Sequence, residues 1–433
     1  EGGRGLFVYI RGQNPETWND GDQDHYFTNL NDFFMGYAGA NRSSRSFQLH
    51  VINNGNQSLT LFDWMTSENQ FHINTWQENN ADDFFPMVIE SFSSSWINNV
   101  RQMWLDYSPS QVGELSGTVT LLATNGSEEY NFNFNLTGLG LLIPEDVIHV
   151  PGDVPSIQFA IDNSQWYDTI RVAPGTYVER VNFNSKELYL VGDSDSLPIL
   201  TVDNSQGWKS VVNMRNSYNS LLKNFLVTGG KGDWCGNCNG PYGDDHAGGG
   251  VFIQREDWHD QPVTARLENL IIENNWAIYG AGVFSRRASV SIKDCIIRNN
   301  TAYEEGSQRG MGGGIFIMHQ DGGNSIDSEI INTQIHSNFA QDGGAAILWQ
   351  NNWGNNRVLF ENALIHSNTA NYHSGVWLMD ANAAMINSTV VMNTTLWNDN
   401  QGSGLEVSNY GFARVINSVF HNNIPFNLVA QGG

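Results

Sequence analysis

Between Gly249 and Asn423 the chain runs in short stretches of alternating apolar and polar residues, and the stretches recur. One half of each recurrence is a glycine followed by an apolar strand: Gly250-Val251-Phe252-Ile253, Gly282-Val283-Phe284, Gly314-Ile315-Phe316-Ile317, Gly344-Ala345-Ala346-Ile347, Gly375-Val376-Trp377-Leu378 and Gly404-Leu405-Glu406-Val407. These glycines stand 32, 32, 30, 31 and 29 residues apart. The other half is a strand opened by Asn or Asp, at Asn224, Asn269, Asp294, Asn332, Asn362, Asn387 and Asn417. One and three residues after each opener the side chains are small or apolar, as at Leu270/Ile272 and Ala363/Ile365. Four residues after, they are mostly polar: Glu273, Arg298, His336, His366 and His421, with Val391 the exception. A period of two over four to six residues predicts strands. A repeat of about 30 residues predicts a solenoid, in which each unit buries its apolar face only against its neighbours. No helical stretch is long enough to cross over a sheet, so the strands are expected to wind as a parallel β-helix. Asn suits the bend before each strand because it tolerates positive φ. Its amide both donates and accepts, so the openers are expected to form a ladder from coil to coil.

A more specific likeness starts upstream. Ile157-Gln158-Phe159-Ala160-Ile161-Asp162, then Asp168-Thr169-Ile170-Arg171-Val172-Ala173-Pro174-Gly175-Thr176-Tyr177, then Leu188-Tyr189-Leu190-Val191-Gly192 resemble the opening coils of the pectin-lyase-like right-handed parallel β-helix superfamily. The later repeats are similar to those of secreted bacterial surface proteins and polymorphic outer-membrane proteins in that group. The likeness covers roughly residues 144 to 433 and implies a scaffold rather than an activity, since one fold hosts many functions.

Residues 1 to 142 read as a separate all-β module. Short, turn-separated strands are expected at Leu6 to Ile10, Ser46 to Ile52, Leu59 to Phe62, Phe71 to Ile73, Thr118 to Ala123 and Tyr130 to Leu136, with turns at Asn53-Asn54-Gly55-Asn56 and Asn125-Gly126. The run from Tyr107 to Gly140 resembles immunoglobulin-like domains found beside β-helices in bacterial surface proteins. Residues 1 to 45 fit less well and are expected to add an edge strand and a long loop. The fold class is therefore all-β: an immunoglobulin-like β-sandwich over 1–142, then a right-handed parallel β-helix over 143–433.

Charge narrows the partners. The chain holds 45 acidic and 21 basic residues, a net charge of -24, which disfavours nucleic acid and anionic membrane. Only five of the basic residues are lysines, a balance that fits an extracellular protein. No apolar run approaches the roughly 18 residues of a membrane span. The chain opens on Glu1, so a signal peptide is expected to have been removed or left out.

The repeat is most heavily interrupted between Gly229 and Gly248, and long insertions in a solenoid often carry function. Cys235 and Cys238 are expected to close a small disulfide in an oxidising compartment; a zinc site with Asp244 and His246, or idle thiols, are the alternatives. Cys295 sits at an inward position and reads as a buried core thiol. Asp233, Asp244, Asp245, Glu256 and Asp257 could hold a calcium ion. If the resemblance to lyases and hydrolases of the superfamily extends to chemistry, Asp244 and Asp245 are the candidate acids, with Lys231, Arg286 and Arg287 as candidate bases and Arg255 and Arg309 nearby. The Gly-His-Gly element of the hydrolases is missing. His336, His366 and His421 share one outward position and read as surface residues stacked along the solenoid.

The outward position of the glycine-led strands holds Phe252, Phe284, Phe316, Ala346, Trp377 and Glu406, an apolar strip where water contact would favour polar residues. A covering loop, a sugar chain stacked on Phe252, Phe284, Phe316 and Trp377, or another subunit would each explain it. The expected function is thus a secreted bacterial cell-surface protein for adhesion, glycan binding or extracellular assembly. Its expected partners are a surface glycan or protein, including copies of itself head to tail, with no cofactor other than calcium. A lyase or hydrolase acting on an acidic polysaccharide is the alternative.

Overall fold

The computed structural model describes residues 6–11, 33–40, 43–53, 58–74, 86–89, 100–236, 246–256, 263–304, 310–319, 327–350, 357–397 and 402–432. The chain divides into two compact units, Glu1–Pro144 and Glu145–Gly433.

In the first unit all six expected strands form, several longer than expected: Gly113–Thr124 and Glu129–Leu141 make the longest hairpin, turned at Asn125-Gly126. Phe33–Gly39, Met87–Ile89 and Val100–Tyr107 are strands that the alternation did not mark. They complete a four-stranded antiparallel sheet and a five-stranded sheet whose edge strand, Phe33–Gly39, pairs in parallel with Glu129–Leu141. Both sheets bury side chains in one core, with Leu49, Phe71, Met103 and Leu105 from the first and Leu61, Val119, Leu121 and Leu136 from the second. The Tyr107 hydroxyl has no partner there, and burial pushes its pKa up to about 12.

The second unit is a β-solenoid. One complete coil reads Ser328–Ile331, Gln334–His336, Phe339–Asp342 and Ala346–Gln350, and each strand pairs in parallel with its counterpart one coil on. The stacked strands build one long bent sheet, a nine-stranded glycine-led sheet, and a five-stranded sheet of very short strands. The helix Ile157–Asn163 packs on the first coils; the Ser156 side chain caps it, and the Glu179 carboxylate accepts from the backbone N–H groups of Ile157 and Gln158.

The Asn and Asp openers sit where the long sheet bends, and all seven have positive φ, from 48° at Asn417 to 63° at Asn224. Their ladder forms in segments: Asn269 donates to Asn224 at 2.8 Å, Asn332 to Asp294 at 3.1 Å, Asn362 to Asn332 at 3.1 Å, and Asn417 to Asn387 at 2.7 Å. Asn362→Leu removes the bond to Asn332 and forces a branched side chain into φ 52°. We expect a loss of about 1 to 3 kcal/mol, seen as a lower midpoint in reversible denaturant unfolding; an unshifted midpoint would contradict a stabilising ladder.

A second, hidden ladder runs inside. Asn275, Asn300, Asn338, Asn368, Asn393 and Asn423 are all buried. Each side-chain amide donates to the next carboxamide oxygen, at 3.0, 3.0, 3.0, 2.9 and 2.8 Å, and Asn423 passes the chain to Asn427 at 2.9 Å. The same oxygens also accept the backbone N–H of the preceding ladder residue. This column is uninterrupted from Asn275 to Asn427, whereas the outer one is not.

Candidate functional site

The insertion leaves the solenoid through a short antiparallel pair, Asp233–Trp234 with His246–Ala247. Its stem is pinned by arginines. Arg180 and the Asn213 amide both donate to Asp233 Oδ2 at 2.6 Å, Arg215 donates to the Trp234 carbonyl, and Arg286 donates to the Gly236 and Cys235 carbonyls at 2.9 and 3.3 Å. Arg215 also pairs with Glu256 at 2.9 Å. Asp233 and Glu256, two of the five candidate calcium ligands, therefore already face guanidinium groups. Asp244, Asp245 and Asp257 lie outside the described residues, as does Arg309. No group of acidic, His or Cys side chains suited to a metal occurs among the described residues. Burial lowers the Arg286 pKa, with Glu256 opposing and Arg215 reinforcing the effect, and burial likewise lowers that of Arg287. Arg286 is nonetheless a strut for the insertion, one guanidinium nitrogen donating to two main-chain carbonyls. Lys231 is exposed on the neighbouring side. Cys235 is disulfide-bonded; Cys238, its expected partner, lies outside the described residues. Cys295 is a free thiol buried in the core, its pKa raised by burial to about 12.

The phenylalanine strip is continuous in register, Phe252 pairing with Phe284 and Phe284 with Phe316, at ring separations of 5.6 and 5.8 Å. The next position is Ile347 and not Ala346, because Ala345 takes the place of Gly314 in the stack. The strip is no exposed binding face. Phe252, Phe284 and Phe316 are completely buried, together with Cys235, Ile278 and Tyr279 of the chain's own coverings. Alternation misleads here because this parallel sheet is buried on both sides, as the unbroken burial of Val251–Gln254, Val283–Arg286 and Ile315–His319 shows. Trp377 is half-buried and lies flat on His373, ring centroids 3.9 Å apart.

His373 is a site that sequence reading passed over. Its Nδ1 lies 2.9 Å from Asp342 Oδ1 and its Nε2 3.3 Å from Glu406 Oε1, with His373 and Glu406 both buried. Burial alone would lower its pKa; the two carboxylates outweigh it and raise the value. Three coils supply the three groups, and no spacing in one repeat announces them. The arrangement ties three successive coils together around a histidine and a glutamate that are both buried. His336 and His366 stack as expected, 4.7 Å apart, and burial, then the neighbouring charges, lower the pKa of His336.

Exposed aromatic rings gather instead on the third side. The sheet Trp276–Ala277, Thr301–Ala302, Phe339–Asp342, Thr369–Tyr372 and Thr394–Thr395 turns its alanines inward, Ala277, Ala302, Ala340 and Ala370 forming one stack. The neighbouring positions point outward. They and their flanks carry an aromatic ring on nearly every coil: Trp208, Trp276, Tyr303, Phe339, Tyr372 and Trp397. The rings meet in three pairs, Trp208 with Trp276 at 4.7 Å, Tyr303 with Phe339 at 6.5 Å, and Tyr372 with Trp397 at 5.0 Å. His246 adds an edge contact to Trp208 at 4.4 Å. Trp208, Tyr303 and Trp397 are 44%, 37% and 45% exposed, in contrast to the sealed phenylalanine strip. Thr301, Thr369 and Thr394 share the outward column with Trp276 and Phe339. The sequence signal was the aromatic count per coil, hidden because the rings do not share one repeat position.

No family model matches the chain, and no curated protein matches it. Among solved structures it is similar to the ASH/PapD-like domain of human CEP192, with 11% identity and a TM-score of 0.18 over 27% of this chain and 84% of that one. It is similar to the CooA pilin subunit of enterotoxigenic Escherichia coli, with 13% identity and a TM-score of 0.17 over 27% and 93%. It is also similar to the Vibrio cholerae VesB protease, with 7% identity and a TM-score of 0.20 over 25% of this chain and 30% of that one. Likenesses at this level fix neither fold nor activity. Among the described residues no helix is long and apolar enough to cross a membrane.

Proposed function

We propose that this chain is a secreted cell-surface protein that binds an extracellular glycan and does not cleave it, its solenoid being a right-handed, pectin-lyase-like β-helix and its first unit an immunoglobulin-like module. The observation that supports this reading is the row of partly exposed rings from Trp208 to Trp397. Sugars offer apolar C–H faces to aromatic rings and hydroxyls to threonines, and a flat ring combines large contact area with little conformational entropy to lose. The ionisable groups of the described insertion stem and of the His373 clamp are engaged within the molecule, which favours binding over bond cleavage.

The test is retention of the protein on insoluble polysaccharides, with release of reducing or unsaturated sugar ends followed in parallel, with and without calcium. Binding without release is expected, unchanged by calcium. Saturable release that disappears in an Asp244→Asn/Asp245→Asn double variant would replace this reading with the enzyme.

A further inference from the structure

Resting on that reading, we infer that the ligand is an uncharged polysaccharide in an extended conformation, lying along the solenoid axis across all three ring pairs. The orientation comes from the fold. Trp208 precedes the strand Val212–Arg215 and Trp397 precedes Gly402–Asn409, six strand spacings further along the glycine-led sheet. At about 4.8 Å per coil this is a run of about 29 Å. The three pairs fall on successive parts of that run, separated by roughly two coils, or about 10 Å. An extended β-linked chain turns the same face to one side once per disaccharide, an advance of similar length, so every second sugar meets a successive platform.

Charge selects the class. The five strands of this sheet contain no lysine or arginine, and their one carboxylate, Asp342, is held by His373. Lys231, which is exposed, and Lys209, which is buried, are cations at the Trp208–Trp276 end, joined by a main-chain hydrogen bond. With a net charge of -24 on the whole chain, the lysines at one end are a small offset to the repulsion of a polyuronate and the described strands of the sheet add none, whereas a neutral chain meets rings and the hydroxyls of Thr301, Thr369 and Thr394. Its Trp208–Trp276 end abuts the insertion stem through His246, and Trp276 packs against the cluster that holds the phenylalanine strip.

Titration calorimetry on the full chain with cello-, xylo- and manno-oligosaccharides, and with oligogalacturonates of matching length, tests it. For at least one neutral series, affinity should climb from disaccharide to hexasaccharide and exceed that for the oligogalacturonate of equal length. Trp208→Ala and Trp397→Ala, at opposite ends, should each weaken the hexasaccharide about ten-fold and weaken the disaccharide far less, since it can settle on a remaining pair. Both side chains are exposed, so melting temperature should stay near the parent value; Tyr303→Ser gives a central variant if either does not fold. Neutral glycan binding that ignores chain length, or that survives all three replacements, overturns the axial site while leaving glycan binding standing. Preference for the oligogalacturonate overturns the charge assignment. Absence of binding to every glycan, soluble or insoluble, overturns the functional reading along with it.

Discussion

Asn338→Leu is expected to destabilise the solenoid by about 3 to 6 kcal/mol, well beyond the cost of Asn362→Leu on the outer column. Asn338 donates to the Ile297 carbonyl at 2.9 Å and to Asn368 Oδ1 at 3.0 Å, and its own oxygen accepts both the backbone N–H and the amide of Asn300 at 3.0 Å. Leucine keeps the volume and removes all four bonds. The Asn300 donors and the Ile297 carbonyl then remain buried, and each unpaired polar group in that setting costs roughly 1 to 3 kcal/mol. A glycine in the same repeat has no slack to absorb the change: a Cβ on Gly314 would lie 3.2 Å from Asn338 Nδ2 and 2.5 Å from the Ala345 carbonyl oxygen. Denaturant unfolding of the two variants side by side is the measurement. Equal, small shifts for Asn338→Leu and Asn362→Leu would mean that the inner column is no stronger than the outer one.

The second large effect is acid sensitivity through His319. It ends the strand Ile315–His319, is buried, has no partner for Nε2, and burial drags its pKa down to about 4, with Asp327 pulling weakly the other way. Below the ordinary histidine pKa near 6.5 the unfolded chain takes up a proton that the folded chain refuses. Stability is therefore intact above about pH 6.5 and is lost as pH falls towards 4, by about 3 kcal/mol in all. His373 works in the opposite sense: its raised pKa gives stability that is full below the unfolded value and fades as pH rises through the folded one. Comparing parent and His319→Gln, which leaves His373 in place, isolates the first effect. The parent should lose melting temperature relative to the variant between pH 6.5 and 4; parallel curves across that range would show that His319 is not the acid-sensitive group.

The sequence by itself determined the solenoid, its period, and which residues line its main core. Those properties follow from a two-residue alternation that each strand imposes locally and from turns whose positive φ selects Asn, so Asn269 or Asn417 can be read without knowing what lies above or below. It also contained the inner ladder, since Asn275, Asn300, Asn338, Asn368, Asn393 and Asn423 each follow an opener by six residues. That recurrence is visible in the letters, but the burial that gives it its strength is not. The repeated glycines were legible as a pattern and misleading as to cause. Gly250, Gly282 and Gly314 are not in left-handed conformations; they are glycines because a Cβ would press on the inner Asn amide of the same coil and on the carbonyl of the next.

Tertiary structure alone decided which outward positions are outside. Phe252, Phe284 and Phe316 alternate as surface residues and are sealed, because Cys235, Ile278 and Tyr279 pack over them; Trp208, Tyr303 and Trp397 share no repeat position and stay partly exposed. His373 likewise acquires its partners from Asp342 and Glu406, 31 and 33 residues away. Local pattern fixes the direction in which a side chain leaves its strand, within the few ångströms of one turn. Whether water, a ring or a carboxylate waits there depends on residues a whole coil away, brought near only by the winding of the chain.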